Sequence, residues 1–402
     1  MRIIYLHQYF KTPQMIGGTR SYEFGRRLGL SGHDVHMITS HQGQNNSKKS
    51  FIEKVSGINV HYLYIPYDNS FSYIKRILAF LKYIIYASFY ILRIECDVIF
   101  ATSTPLTVAI PAILYKKING VPMVFEVRDL WPEIPIAIGA IKSKLLIKLA
   151  KYLEKSAYIN SKYIVALSPG MKTGIMKKGI PEENIIIIPN SCDIKLFNVS
   201  PSYGLKFREE NNWLKEKKLV IYAGTFGYIN DVSYLIYLSK EIAKINDNIL
   251  FLAIGEGKEN NKLHDIALEE GVLNKNFFIM KPSAKEQMPI LLSAATICTS
   301  LFKPYKEMWN NSANKFFDGL AAGKPIMINY KGWQSELLKE TGSGITVPYH
   351  DIVYAAKLLN SFISDEEKLH KASVSSKNLA EVKFNRDNLY DCFEKTLNKA
   401  VN

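Results

Sequence analysis

Short apolar runs alternate with longer segments of helical length along almost the whole chain. Strands of continuous apolar character, separated by helices, are typical of parallel sheets that are covered on both faces. In the first half the predicted strands are Ile3–Leu6, Val35–Thr39, Val60–Tyr64, Val98–Thr102, Met123–Val127, Ile164–Leu167 and Ile185–Ile188. In the second half they are Leu219–Ala223, Ile249–Ile254, Phe277–Ile279, Thr296–Thr299, Pro325–Ile328 and Ile345–Val347.

Two successive sets of such strands indicate an α/β protein with two doubly wound, Rossmann-like domains, as the length of 402 residues also favours. We expect the first domain to span residues 1–190. The second should span residues 191–384, including a less apolar linker at 191–217. A last helical segment at 385–402 could pack back on the first domain.

The charge of the chain narrows the choice of partners. Its formal net charge of +14 favours an anionic partner such as a nucleic acid, a phosphorylated metabolite or an anionic lipid surface. The cysteines are scattered, and the first residues lack the apolar run of a signal peptide, so we expect a cytoplasmic protein.

The stretch from Asn310 to Pro325 gives the clearest indication of a ligand-binding site. Asn311 or Ser312 could cap a helix that follows an apolar strand, and the amides at such a helix start favour a phosphate. Lys315 could then meet a nucleotide diphosphate, while Asp318 takes the ribose hydroxyls one turn further on. The alternative is a capped helix in which Lys315 and Asp318 form a solvated pair.

Two stretches of the first domain are further candidates. Gly17, Gly18 and Thr19 precede a helix, where paired glycines allow a ligand to approach the backbone, although taken alone such a pair more often marks a plain turn. Arg128, Asp129 and Glu133 follow a strand at the edge where α/β folds bind ligands. The alternative there is a local Arg128–Asp129 ion pair, with Trp131 as a packing residue.

Two segments are apolar and basic. Residues 71–93 are aromatic with basic flanks, and residues 134–155 carry several lysines. Such helices can lie in the interface of an anionic bilayer, but a buried helix that covers the sheet explains residues 71–93 equally well.

In this order, these motifs resemble family 4 of the retaining glycosyltransferases, which have the two-domain GT-B fold, and most closely its WbuB-like subfamily. The resemblance rests on Gly17-Gly18, Asp129–Glu133, Ile188–Asp193 with Phe197, Ile254–Gly257 and Asn314–Pro325. It implies a donor site formed by Gly17, Gly18, Thr19, Asn310, Asn311, Ser312, Ala313, Asn314, Lys315 and Asp318, with Lys281 at the nucleobase. Arg128, Asp129, Glu133 and Lys315 would be the catalytic residues.

Three positions depart from the family pattern. The two glutamates of its motif fall on Asn310 and Asp318, so only the second keeps a carboxylate. Its usual His corresponds to Arg128, and a customary diphosphate-binding Arg corresponds to Tyr228. Lys315, Arg128 or Arg20 could replace that missing cation.

The resemblance implies transfer of a sugar, first of all N-acetyl-L-fucosamine, from a UDP-sugar to an undecaprenyl-diphosphate-linked saccharide in O-antigen or capsule biosynthesis. It implies no metal and no cofactor, and a peripheral position on the cytoplasmic face of the inner membrane. The alternatives are a UDP-sugar 2-epimerase of the same fold and a basic nucleic-acid-binding protein. The sequence lacks interleaved basic and aromatic RNA-binding motifs, so we expect no nucleic acid.

Overall fold

Two separate β-sheets organise the chain. The computed structural model describes residues 1–41, 49–66, 71 and 73–402, and of residues 73, 74, 76 and 77 it describes only the backbone. One compact unit comprises Met1–Thr12, Thr19–Pro189 and Leu389–Asn402, and the other comprises Pro13–Gly18 and Asn190–Asn388. The predicted α/β fold with two Rossmann-like domains is confirmed.

The first unit contains an eight-stranded sheet in the order β3-β4-β2-β1-β5-β6-β7-β8, in which only β3 is antiparallel to its neighbour. Its strands are β1 (Arg2–Leu6), β2 (Asp34–His41), β3 (Phe51–Val55), β4 (Ile58–Tyr64), β5 (Val98–Thr102), β6 (Met123–Val127), β7 (Tyr163–Ala166) and β8 (Ile185–Ile187). The edge strand β3 is missing from the prediction, because its central residues are exposed and polar and therefore form no apolar run.

The helices of the first unit fill the crossovers between its strands. They are α1 (Arg20–Leu30), α2 (Tyr73–Ile91), α3 (Ala109–Asn119), α4 (Glu133–Ala137), α5 (Lys144–Asn160) and α6 (Pro169–Met176). The last helix of the chain, Arg386–Val401, contributes Tyr390, Phe393 and Leu397 to the same core.

The second unit contains a six-stranded parallel sheet in the order β11-β10-β9-β12-β13-β14. Its strands are β9 (Lys218–Ala223), β10 (Ile249–Ile254), β11 (Phe277–Met280), β12 (Ile297–Ser300), β13 (Ile326–Ile328) and β14 (Gly344–Thr346). Its helices are α7 (Ile194–Phe197), α8 (Pro201–Glu210), α9 (Ser233–Ala243), α10 (Asn260–Glu269), α11 (Met288–Ser293), α12 (Asn314–Ala321), α13 (Trp333–Thr341), α14 (Ile352–Ile363) and α15 (Glu366–Val382), before α16 (Arg386–Val401).

Helix α2, which spans most of residues 71–93, has two apolar faces, one buried and one exposed. Ala79, Tyr83, Ala87 and Ile91 are buried at helical spacing, so one face covers the core. The other face leaves large apolar side chains exposed, among them Phe89, of which 68% is exposed. Residue 72, within the predicted segment, lies outside the described residues. Within the described ranges, every helix is too short or too polar to cross a bilayer.

A buried ion pair ties the start of α1 to the sheet of the first unit. The guanidinium of Arg20 lies 2.8 Å from the carboxylate of Glu126 on β6, and both side chains are almost fully buried. Arg20 also donates to the carbonyls of Ile188 and Pro189, and the hydroxyl of Thr102 donates to Glu126 at 2.6 Å. Each guanidinium nitrogen of Arg20 is thus engaged inside the unit, which argues against Arg20 as the replacement for the missing diphosphate cation.

We predict that Glu126→Gln destabilises the first unit by about 3–5 kcal/mol, because it leaves the Arg20 guanidinium buried without its counter-charge. Thermal unfolding of the full chain measures the effect, with Glu53→Gln on the exposed part of β3 as the matched control. A melting temperature of Glu126→Gln equal to that of the control would contradict the prediction.

Candidate active site

The carboxyl edge of the second sheet brings together the loops that follow β9 and β12. These two strands are parallel neighbours, so the loop after Ala223 and the loop after Ser300 leave the sheet at the same edge. Helix α12 begins there at Asn314. Ligands of open α/β sheets bind at this edge, and the first amides of a helix favour an anion.

Lys315, in the first turn of α12, is the central cation of this edge. Its ammonium lies 4.7 Å from the centroid of the Tyr222 ring and 5.0 Å from that of the Phe302 ring. It donates to the hydroxyl of Tyr222 and to the side-chain oxygen of Asn230, each at 3.2 Å. Both acceptors are neutral groups. Burial lowers the pKa of Lys315 to about 7, so an anionic ligand would favour its charged form.

Asp318 does not pair with Lys315, so the alternative of a solvated Lys315–Asp318 pair is wrong. The carboxylate of Asp318 instead binds the ammonium of Lys285, and both side chains are largely buried. Lys285 also lies 5.1 Å from the centroid of the Phe197 ring. No periodic pattern in the sequence points to Lys285, because it lies in a single 3-10 turn after β11. Lys281, the candidate for the nucleobase, is exposed in the same connection.

The residues before α12 hold the loop in place, and the prediction that Asn311 or Ser312 caps the helix is wrong. The residue at the cap is Ala313, which offers no side-chain acceptor. The Asn311 side chain donates to the Met308 carbonyl and accepts from the Ala313 amide, so these groups are engaged within the loop.

Ser312 is likewise engaged within the second unit, where its hydroxyl accepts from the amide of Asn190 at 3.0 Å. Among the residues predicted for the donor site, Asn310 and Asn314 are half-buried at either end of this loop. The first turn of α12 is therefore left with the amides of Asn314 and Lys315 as its anion-binding groups.

The corresponding edge of the first unit carries Arg128 just after β6. Its guanidinium lies 3.4 Å from the Nε2 atom of His7, which follows β1, and its amide donates to the hydroxyl of Ser103. Burial, reinforced by Arg128, lowers the pKa of His7 well below its usual range, so His7 is a neutral acceptor. The sequence did not predict a role for His7 or for the buried Gln8, because both directly follow the first strand.

Asp129 and Glu133 have different surroundings, although both follow β6. Burial raises the pKa of Asp129 to about 6, and the charge of Arg128 opposes that shift. Glu133 forms an ion pair with Lys178 at 2.7 Å, and Lys178 also binds the buried Glu154. Within the described residues, Arg128 and Asp129 do not form the local ion pair that was the alternative here, and Glu133 is paired with Lys178 instead.

The glycine loop precedes α1. Gly17 has a φ of +136°, a conformation that favours glycine, and it is exposed. Gly18 is half-buried, and Thr19 is buried at the helix start, where its side chain forms no capping hydrogen bond. Gly17 and Gly18 belong to the second compact unit, whereas Thr19 belongs to the first. In the described part of the chain, no three His, Cys, Asp or Glu side chains are grouped as metal ligands.

Two family models match the chain in sequence. Glycosyltransferase Family 4 matches residues 17–196, and Glycosyl transferases group 1 matches residues 205–378. A curated relative is WcaI of Escherichia coli, provisionally named as a colanic acid biosynthesis glycosyl transferase. It is 24% identical over 298 residues, which cover 70% of this chain and 72% of WcaI.

Solved structures of glycosyltransferases share the fold. HepE from Anabaena, solved with UDP and glucose, has a TM-score of 0.73 at 17% identity and covers 99% of this chain and 100% of its own. WaaG, a glycosyltransferase involved in lipopolysaccharide biosynthesis, has a TM-score of 0.71 at 14% identity, with 99% of each chain covered. Because the two family models together account for most of the sequence and the fold agrees, this chain is a GT-B glycosyltransferase that belongs to family 4.

Proposed function

We propose that this glycosyltransferase is a retaining, metal-independent enzyme that transfers a sugar from a UDP-sugar to a lipid-diphosphate-linked saccharide. The observation that carries the proposal is the position of Lys315. Its ammonium is partly desolvated at the start of α12, between two aromatic rings, and its hydrogen-bond acceptors are neutral. Among the described residues no carboxylate pairs with this ammonium, so the position suits an anionic ligand.

The chemistry needs positive charge where the leaving group develops negative charge. As the bond between the anomeric carbon and the diphosphate oxygen breaks, the acceptor hydroxyl oxygen bonds to that carbon on the same face. The hydroxyl proton passes to the departing phosphate oxygen, so no protein nucleophile is required. Lys315 and the amides of Asn314 and Lys315 would stabilise the UDP that leaves, without a metal ion.

The solved relatives support a nucleotide-sugar donor. HepE has been solved with UDP and with UDP-glucose. We assign the ribose hydroxyls to Asp318, which Lys285 holds in place, and the nucleobase to Lys281. The resemblance to the WbuB-like subfamily makes UDP-N-acetyl-L-fucosamine our first choice of donor, for O-antigen or capsule biosynthesis.

We assign the acceptor to the edge of the first unit that carries Arg128 and Asp129. Arg128 is a cation beside the neutral His7, so it is suited to the phosphates of an undecaprenyl-diphosphate-linked saccharide. Asp129, with a pKa of about 6, would be mostly ionised at pH 7 and could orient the acceptor hydroxyl. Glu133 is assigned a supporting role, since it is paired with Lys178.

The exposed face of α5 favours an anionic membrane surface as the partner that presents this acceptor. Leu145, Leu149 and Tyr152 are 66%, 53% and 74% exposed on the helix. The interleaved lysines Lys144, Lys148, Lys151 and Lys155 are also exposed. Helix α3 packs against both α2 and α5, so the exposed apolar residues of all three helices lie on neighbouring elements. Apolar side chains among lysines match the interface of an anionic bilayer, and we place the enzyme on the cytoplasmic face of the inner membrane.

Mass spectrometry tests the reaction directly. A synthetic N-acetylglucosaminyl diphosphate-lipid is incubated with the enzyme, a panel of UDP-sugars and EDTA. We expect the acceptor to gain the mass of one sugar, with UDP-N-acetyl-L-fucosamine as the preferred donor. NMR of the product should show that the transferred sugar keeps the anomeric configuration that it has in the donor. UDP release or sugar epimerisation without any mass gain would contradict the proposed transfer, and loss of activity in EDTA would contradict metal independence.

Vesicle sedimentation tests the membrane surface. We predict that Leu149→Ser combined with Tyr152→Ser weakens binding to vesicles containing anionic lipid at least about tenfold, because burial of each side chain contributes about 1.5–3 kcal/mol. Leu268→Ser, at a leucine that is 64% exposed on α10, is the matched control and should bind like the wild type. Equal binding of the double variant and the control would show that α5 does not contact the bilayer.

A further inference from the structure

Lys303 is a second cation at the carboxyl edge of the second sheet, and it is not among the residues assigned to the donor site. It follows β12, and its side chain is 21% exposed. Its ammonium lies 4.3 Å from the centroid of the Tyr228 ring. Its amide donates to the carbonyl of Ile229 at 2.9 Å, so the chain after β12 is bound to the loop that carries Tyr228.

The nearest carboxylate, that of Asp231, is already engaged by other donors. It accepts hydrogen bonds from the Ser233 hydroxyl at 2.8 Å and from the Tyr349 hydroxyl at 2.5 Å. The ammonium of Lys303 forms an ion pair with it at 3.6 Å, a separation too long for a hydrogen bond. Within the part of the chain that the structure describes, this ammonium makes no hydrogen bond, so its donors remain available to a ligand.

The loop between Tyr228 and Asp231 also holds Lys315. In this loop, Asn230 accepts a hydrogen bond from the Lys315 ammonium. The ring of Phe302, which directly precedes Lys303 in the chain, lies 5.0 Å from the same ammonium. Two ammonium groups therefore flank one loop, each against an aromatic ring. A ligand with two linked anionic groups, a diphosphate, matches this arrangement better than a single phosphate does.

We propose that Lys303 is a second phosphate-binding residue of the donor site and that the ring of Tyr228 positions it. The inference rests on the proposed function, because it assumes that the donor diphosphate binds beside Lys315. It accounts for the missing cation at position 228. The aromatic side chain there carries no charge of its own, but it supports the charge of Lys303 through a cation–π contact.

Calorimetric titration with UDP and with uridine tests this inference. We expect Lys303→Met to weaken UDP binding about tenfold, which corresponds to about 1.4 kcal/mol, and to leave uridine binding unchanged. Lys303→Arg should retain UDP binding within about threefold, since it keeps the charge. Lys306→Met, at an exposed lysine nearby, is the matched control for the overall change in charge and should bind both ligands like the wild type.

Two variants of Tyr228 test the positioning role separately, and at a side chain that is 48% exposed they should fold normally. Tyr228→Ala should weaken UDP binding several-fold without affecting uridine, whereas Tyr228→Phe keeps the ring and should bind like the wild type. UDP affinities of Lys303→Met and Tyr228→Ala within twofold of the wild type would overturn the inference and leave the proposed function intact. A wild-type protein that does not bind UDP would overturn both.

Discussion

The chemistry of this enzyme depends on a lysine ammonium that is partly withdrawn from water and that no carboxylate of the described residues neutralises. Lys315 is held by two aromatic rings, a phenol and an amide oxygen. Burial without a counter-charge disfavours the protonated form, so the protein alone leaves this site electrostatically incomplete. A diphosphate would complete it. The neighbouring carboxylate of Asp318 does not, because it is paired with Lys285.

The parallel sheet explains why these groups meet. Strands β9 and β12 are neighbours in space although far apart in sequence, and both end at the edge where α12 begins. The loops after the strands therefore bring Asn230, Phe302 and Lys315 together without any local sequence motif linking them. In the first unit, by contrast, two buried charges are paired with each other. Arg20 and Glu126 neutralise each other in the core of the first unit, where an unpaired charge would be strongly destabilising.

The sequence predicted the fold well because buried parallel strands must be apolar, and every strand buried on both faces produced a recognisable run. The edge strand β3 produced none, since its residues face solvent. The sequence also identified Lys315 and Asp318, but not their partners. The partners Asn230 and Lys285 lie in irregular loops, where no periodicity indicates which side chains will meet. The ion pairs Arg20–Glu126 and Glu133–Lys178 join residues that are far apart in the chain, so the sequence alone does not indicate that they form.

The pH dependence of UDP affinity between pH 7 and pH 9, measured for the wild type and for Lys315→Met, tests whether Lys315 binds the diphosphate. The pKa of Lys315 in the free protein is about 7, so above that pH the ligand must bind together with a proton. We expect wild-type affinity to fall as the pH rises, by up to about tenfold per pH unit, because each unit reduces the protonated fraction of Lys315 up to tenfold. Lys315→Met should bind weakly at every pH. Equal affinities of the two proteins, or a wild-type affinity that does not change with pH, would contradict the assignment of the diphosphate to Lys315.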